Sequence, residues 1–324
     1  MHLMQYTQTK QALGGDITIG FVADYDQNAA DKLFVQLWHY VYTFERLFSR
    51  FLPSSELSIL NRSAGVPMSI SQEFKNLLTA AKSMAEMTDG LYNPFILPAL
   101  QKSGYKKSVM PGYENDPVDD YSRRSVVAID RLVIDGNRVT IPHDSALDMG
   151  GCGKGYLADR LRDIMNTAGV ANYWMNLSGD IATAGHDQNA KSWAVDIQNS
   201  RDLQSVSDWS IACPIEPFAI ATSGTFKRKG HSVDYDWHHI IDPITLKPAQ
   251  TDIRLATICA PTTLQADVLA SCAIILGSDK APDWLRSHGV SDFLLQCEDA
   301  TEVFEKQFGR AILKESMNTA GVGK

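Results

Sequence analysis

The chain has 324 residues, 44% apolar and 21% charged, an ordinary globular composition that excludes wholesale disorder. Its 30 basic and 38 acidic side chains leave a formal net charge of −8, so nothing general draws it to nucleic acid or to an anionic membrane surface. No apolar run approaches the ~20 residues of a membrane-spanning helix. Residues 1–15 lack the basic-then-apolar layout of a secretory leader. The five cysteines are an odd number without a CxxC pair and read as reduced thiols. These features predict a cytoplasmic protein as the sequence stands, or a periplasmic or membrane-anchored one had a leader been removed.

In chain order, residues 16–23 alternate well enough for a strand. A long amphipathic helix follows over 27–51, with Leu33, Phe34, Leu37, Val41, Phe44, Phe48 and Phe51 at three- and four-residue spacing. A second helix opens after Ser69, which stands three residues before Gln72 as a capping box, and ends at Asp89-Gly90. Residues 103–124 are polar and read as a surface excursion. Short strands are predicted near 125–130, 132–135 and 138–141, with Asp135-Gly136-Asn137 as a hairpin turn. A glycine-rich bend at 150–155 then opens a helix reaching about Asn166. Strands near 172–178, 191–197, 218–222, 237–241 and 254–260 precede a helix over 264–276, and a helix–strand pair covers 282–297. Strands and helices come in blocks, which favours an α+β fold over a doubly wound sheet. The whole chain, 1–324, reads as a single domain.

Four stretches have the residue types that chemistry needs. The densest is Asp148-Met-Gly-Gly-Cys-Gly-Lys154-Gly-Tyr156 at a helix start. There glycines admit a ligand to the backbone, the helix N-terminus favours an anion, and Lys154 suits phosphate oxygens. Its spacing fits neither a Walker A loop nor GxGxxG, and the same residues also suit a tight turn against a packed helix. Next, Asp267 and Ser271 lie four apart on one face of a helix opened by Thr262, a carboxylate and a hydroxyl suited to a hard cation; they equally suit a helix dipole and a packed face. Third, His238 and His239 point to opposite faces of a strand, so only one can serve a given site, and a single histidine can accept a proton at neutral pH. Fourth, Phe51 to Asn61 and Asp89 to Pro94 place rings near small polar groups, as a stacked heterocycle or a plugged core would need. The turn Asn176-Leu-Ser-Gly-Asp180 has the same ambiguity.

In this order and at these separations, FSRFLPSSELSILN (48–61), DGLYNP (89–94), ALDMGGCGKGYLAD (146–159), NLSGD (176–180), ATSG (221–224), HIIDP (239–243) and LQADVLAS (264–271) resemble the ApbE family of FAD:protein FMN transferases. The resemblance implies a T-fold-like α+β architecture with mixed or antiparallel sheets and packed helices. It implies FAD as donor substrate, Mg²⁺, and transfer of FMN to a Thr or Ser hydroxyl of an acceptor flavoprotein with release of AMP. A FAD pyrophosphatase and a non-catalytic FAD-binding protein are the alternatives. By motif position, Gly151, Asp267 and Ser271 would hold the metal. Leu13, Phe51, Leu91, Tyr92, Asn93, Asp148, Lys154 and Ile241 would contact the flavin substrate. His239 would be the base, with Lys154 sharing the phosphate charge. Ser271 stands where Thr is commoner in the family, Asn93 where Asp is usual, and Ser178 where Gly is usual.

Overall fold

The computed structural model describes residues 3–108, 118–202, 204–226, 228–231, 236–306 and 311–313. Its backbone is an eight-stranded sheet whose spatial order follows the chain: β1 (Met4–Ala12), β2 (Gly15–Ala23), β3 (Asn172–Leu177), β4 (Asp180–Ala184), β5 (Phe218–Gly224), β6 (Ile253–Ala260), β7 (Asp292–Cys297) and β8 (Glu302–Lys306). Every pairing in it is antiparallel. The segments between neighbouring strands carry six helices: α1 (Gln27–Phe48), α2 (Glu56–Arg62), α3 (Gln72–Met87), α4 (Leu97–Ser103), α5 (Gly153–Thr167) and α6 (Thr263–Ser287). This is the expected α+β class, with antiparallel pairing throughout the described strands.

The apolar stripe on α1 does what its spacing predicts. Leu33, Phe34, Leu37, Val41, Phe44 and Phe48 are all buried, and together with Ile17, Ile19 and Phe21 of β2 they enter the largest core cluster. The helix stops at Phe48, before Phe51, because Ser49 leaves helical geometry. The cap of α3 is Ser71, whose hydroxyl accepts from Phe74 N–H; Ser69 pairs with Arg138 in a short strand, so the expected cap moves two residues on. Glu56 explains the choice, since its carboxylate accepts from both the backbone and the hydroxyl of Ser71.

Residues 125–130 do not form the expected strand: Ile129–Arg131 is a 3₁₀ turn, and pairing begins at Val133–Asp135. The segment predicted near 237–241 divides into Asp236–His238 and Ile241–Asp242, in separate hairpins. Part of the predicted surface excursion, 109–117, lies outside the described residues. Its return limb is not peripheral, since Tyr121 is buried and Arg124 donates to the carbonyls of Asn61 and Ser145.

Strand β1 goes unpredicted because it is an edge strand with only Tyr6 and Ala12 buried. Its turn into β2 is the two-residue pair Leu13-Gly14, at φ 55° and 80°, the doubly positive geometry that tight hairpins prefer. Leucine gives no sequence signal for it, and Glu45 on α1 holds the turn by accepting from Leu13 N–H at 2.9 Å. The helix predicted over 264–276 and the one predicted from 282 are both present, joined in one element, Thr263–Ser287, that Gly277, at φ 76°, breaks in two. All five cysteines are buried free thiols. No described helix is long and apolar enough to cross a membrane.

Candidate active site

The N-termini of α5 and α6 meet beside the ends of β3, β4 and β5, and this junction forms the floor of a cavity of about 950 Å³. That is the upper end of the range for small-molecule and cofactor sites, ~300–1,000 Å³. The helices approach closely because Gly155 has no side chain: a Cβ there would lie 2.6 Å from the Thr263 carbonyl oxygen and 2.7 Å from Leu264 Cα. Gly155 N–H donates to Asp267 Oδ2 at 3.1 Å, across 112 residues. Asp159, one turn further along α5, accepts from the N–H groups of both Thr263 and Leu264 at 3.0 Å and so caps α6, while Thr262 caps Gln265. Replacing Gly155 by alanine is therefore expected to force the helices apart and to destabilise the protein by roughly 1–3 kcal/mol. A thermal melt of G155A checks this.

Three carboxylates and two cations organise the inner wall. Lys154 ion-pairs with Asp180, which is 2% exposed, and its Nζ lies 4.0 Å from Asp267 Oδ2. Asp180 arrives at the start of β4 from a turn in which Asn176 accepts from Gly179 N–H and Ser178 takes φ 59°, a left-handed geometry that favours glycine. Asp148 binds Arg50 Nε at 2.8 Å and accepts from Gly150 N–H at 2.7 Å, so the bend is fixed from both sides. Burial raises the pKa of Asp267, with the charge of Lys154 the main opposing influence. Ser271, one turn on, hydrogen-bonds Ser223 of β5 at 3.0 Å between hydroxyls.

The outer wall is aromatic. The Arg50 guanidinium lies 4.1 Å from the Phe51 ring centroid and 4.7 Å from that of Tyr105, and Tyr105 stacks on Trp237. The Tyr92 ring lies against Gly151, and the Asn93 amide is held at both ends, donating to the Val127 carbonyl and accepting from Phe95 N–H. Cys152, the residue before α5, is buried, and that burial pushes its thiol up to about 12.

The two adjacent histidines diverge. His238 Nε2 faces the Ala249 carbonyl at 3.0 Å, whereas His239 lines the cavity, its N–H donating to the Arg228 carbonyl. His239 Nδ1 is sealed from solvent without a hydrogen-bond partner. Burial, then the charges of Arg228, His238 and Lys154, push its pKa down to about 3, so the imidazole is neutral across the ordinary pH range. The following turn is held by Asp242, which accepts from Ile244 N–H and the Thr245 hydroxyl.

Leu13, Phe51, Leu91, Tyr92, Asn93, Asp148, Gly151, Lys154, His239, Ile241, Asp267 and Ser271 all line this one cavity. Sequence reasoning did not single out Arg50, Asp159, Asp180 or Arg228. Arg50, Asp159 and Asp180 lie inside quoted motifs, but the partner of a charged side chain is invisible until the fold supplies it. Among the described residues no group of three or more His, Cys, Asp or Glu side chains is placed to hold a metal ion.

The ApbE family model matches residues 13–294, and the chain belongs to the ApbE family. It is 26% identical over 259 residues to the FAD:protein FMN transferase of Salmonella typhimurium, covering 78% of this chain and 73% of that one. It is likewise 26% identical over 271 residues to the Escherichia coli K12 protein of the same name, covering 78% and 74%. Among solved structures, an ApbE protein from Thermotoga maritima superposes with a TM-score of 0.81 at 23% identity, covering 94% of this chain and 98% of that one. The Vibrio cholerae flavin transferase ApbE does so at 0.77 and 21%, covering 95% and 99%.

Proposed function

We propose that this chain is a flavin transferase that moves FMN from FAD to a Thr or Ser hydroxyl of an acceptor flavoprotein, releasing AMP, with Mg²⁺ as the metal. Kinship with proteins named FAD:protein FMN transferase over some three quarters of the chain supports the activity. The observation that carries the site assignment is the shared cavity: a buried acid, a lysine and a neutral imidazole stand together beside aromatic walls.

In the transfer, the acceptor oxygen attacks the phosphorus on the flavin side of the diphosphate. A new P–O bond forms, the bond to the AMP oxygen breaks, and the acceptor proton passes to His239. A hydroxyl is a weak nucleophile at neutral pH; the neutral His239 keeps a lone pair for its proton, and the negative charge of a bound diphosphate would raise the basicity that burial and the neighbouring cations lower. Lys154, held by Asp180, presents a fixed positive charge toward the phosphate oxygens. Phe51 and Tyr92 offer ring faces to the flavin, or to the adenine.

The donor set suits Mg²⁺. Asp267 is a buried carboxylate whose ionisation burial opposes, Ser271 adds a hydroxyl on the same helix face, and Gly151 adds a backbone carbonyl at the same cavity wall. Mg²⁺ sites commonly combine one or two carboxylates with substrate phosphates and water, so a wall without an all-carboxylate cage is compatible. When bound, the ion neutralises charge on the diphosphate as the leaving group departs.

Incubation of the chain with FAD, Mg²⁺ and a flavoprotein co-produced with it should give covalent flavin fluorescence on that protein and a mass increase of one FMN group. Rapid formation of free FMN and AMP without an acceptor would instead mark a pyrophosphatase. A yellow protein whose FAD stays intact on adding Mg²⁺ would mark a binding protein.

A further inference from the structure

We propose that Arg228 is a diphosphate-binding residue, the cation by which this chain separates FAD from flavins that lack a diphosphate; the inference rests on the flavin-transfer reading above. Asp148 and Asp267 line the inner wall with the two cations Arg50 and Lys154, and the buried Asp180 pairs with Lys154 from behind it. Arg50 is engaged by Asp148 and by the Tyr105 carbonyl, and Lys154 by Asp180. Riboflavin lacks the negative charges of the diphosphate, so a cation at this wall that no carboxylate already engages would favour FAD over riboflavin, in addition to the Mg²⁺ proposed at Asp267.

Arg228 lines the same cavity and joins no ion pair among the described residues. The pairing of Lys229 with His238 and the hydrogen bond from His239 N–H to the Arg228 carbonyl, at 3.0 Å, fix its backbone beside the proposed base. Arg228 thus shares the cavity with His239, Lys154 and Asp267, the residues assigned above to the diphosphate and its metal. Arg46 also lines the cavity, but from α1, next to the glutamate that holds the Leu13 turn. A guanidinium presents paired N–H donors that match phosphate oxygens.

The test is direct binding of FAD and of riboflavin, followed by flavin fluorescence without metal, to the parent protein, R228Q and R228K. R228Q should weaken FAD by roughly 10–100-fold while leaving riboflavin affinity unchanged. R228K, which keeps the charge but not the fork, should recover part of the FAD affinity. Unchanged FAD affinity in R228Q would overturn the assignment, and so would equal losses for both ligands, which would report a deformed pocket. A parent protein that binds neither flavin would remove the flavin-transfer reading itself, an outcome distinct from either of these.

Discussion

Changing Asp267 to asparagine is expected to stop flavin transfer without weakening the metal-free protein. The carboxylate is 4% exposed, and burial raises its pKa above the ordinary carboxylate value. A group with a raised folded-state pKa contributes stability that is present below its unfolded pKa and lost as pH rises through the folded one. At neutral pH the ionised form is therefore a burden on the fold. Asparagine can still accept the Gly155 N–H, and Lys154 keeps Asp180 as its partner, so the substitution strands no buried charge. The melting temperature of metal-free D267N should equal or exceed that of the parent, whereas transfer should fall on the order of 10²–10³-fold or more. Added Mg²⁺ should raise the melting temperature of the parent and leave that of D267N where it was. A D267N protein that transfers FMN at the parental rate would defeat the metal assignment.

The second large effect concerns His239. Its replacement by glutamine should lower kcat by ~10²–10⁴-fold, the contribution of a positioned general base. The pH dependence is the sharper test, because the burial and neighbouring charges that hold the imidazole neutral come from several elements. Arg228 and His238 act from the adjoining hairpin and Lys154 from α5. With a pKa near 3 in place of 6.5, the base should impose no acid limb on kcat/KM around 6.5. Stability should respond too. Between 6.5 and 3 the unfolded chain binds a proton at this histidine that the folded chain refuses, so stability falls as pH drops through that window. H239Q lacks this linkage, and its melting temperature should decline less steeply over the same range. An acid limb near 6.5 that disappears in H239Q would show an ordinary, solvated histidine.

Much of the molecule was legible in the chain. Three- and four-residue spacing located α1, α3 and the start of α6, because a helix buries one face and the spacing records which. His238 and His239 do part as expected, although the strand ends at His238 and its alternation is not the cause, and the four-residue spacing of Asp267 and Ser271 put both on the cavity side of α6. The glycine-rich bend announced a close approach, although only the structure shows that Gly155 admits the backbone of α6. Local pattern was silent where the partner lies far along the chain. Lys154 meets Asp180 across 26 residues, Asp159 caps α6 across 104, and Arg50 meets Asp148 from another element altogether. Edge strand β1 and its Leu13-Gly14 turn were hidden because few of their side chains are buried and a left-handed leucine carries no turn signal. Sequence alone thus determined the residue types and the faces they occupy, since periodicity and capping act within a few residues. Tertiary structure decided which charges are paired and which base stays neutral, because desolvation and ion pairing arise only when distant segments close around the same space.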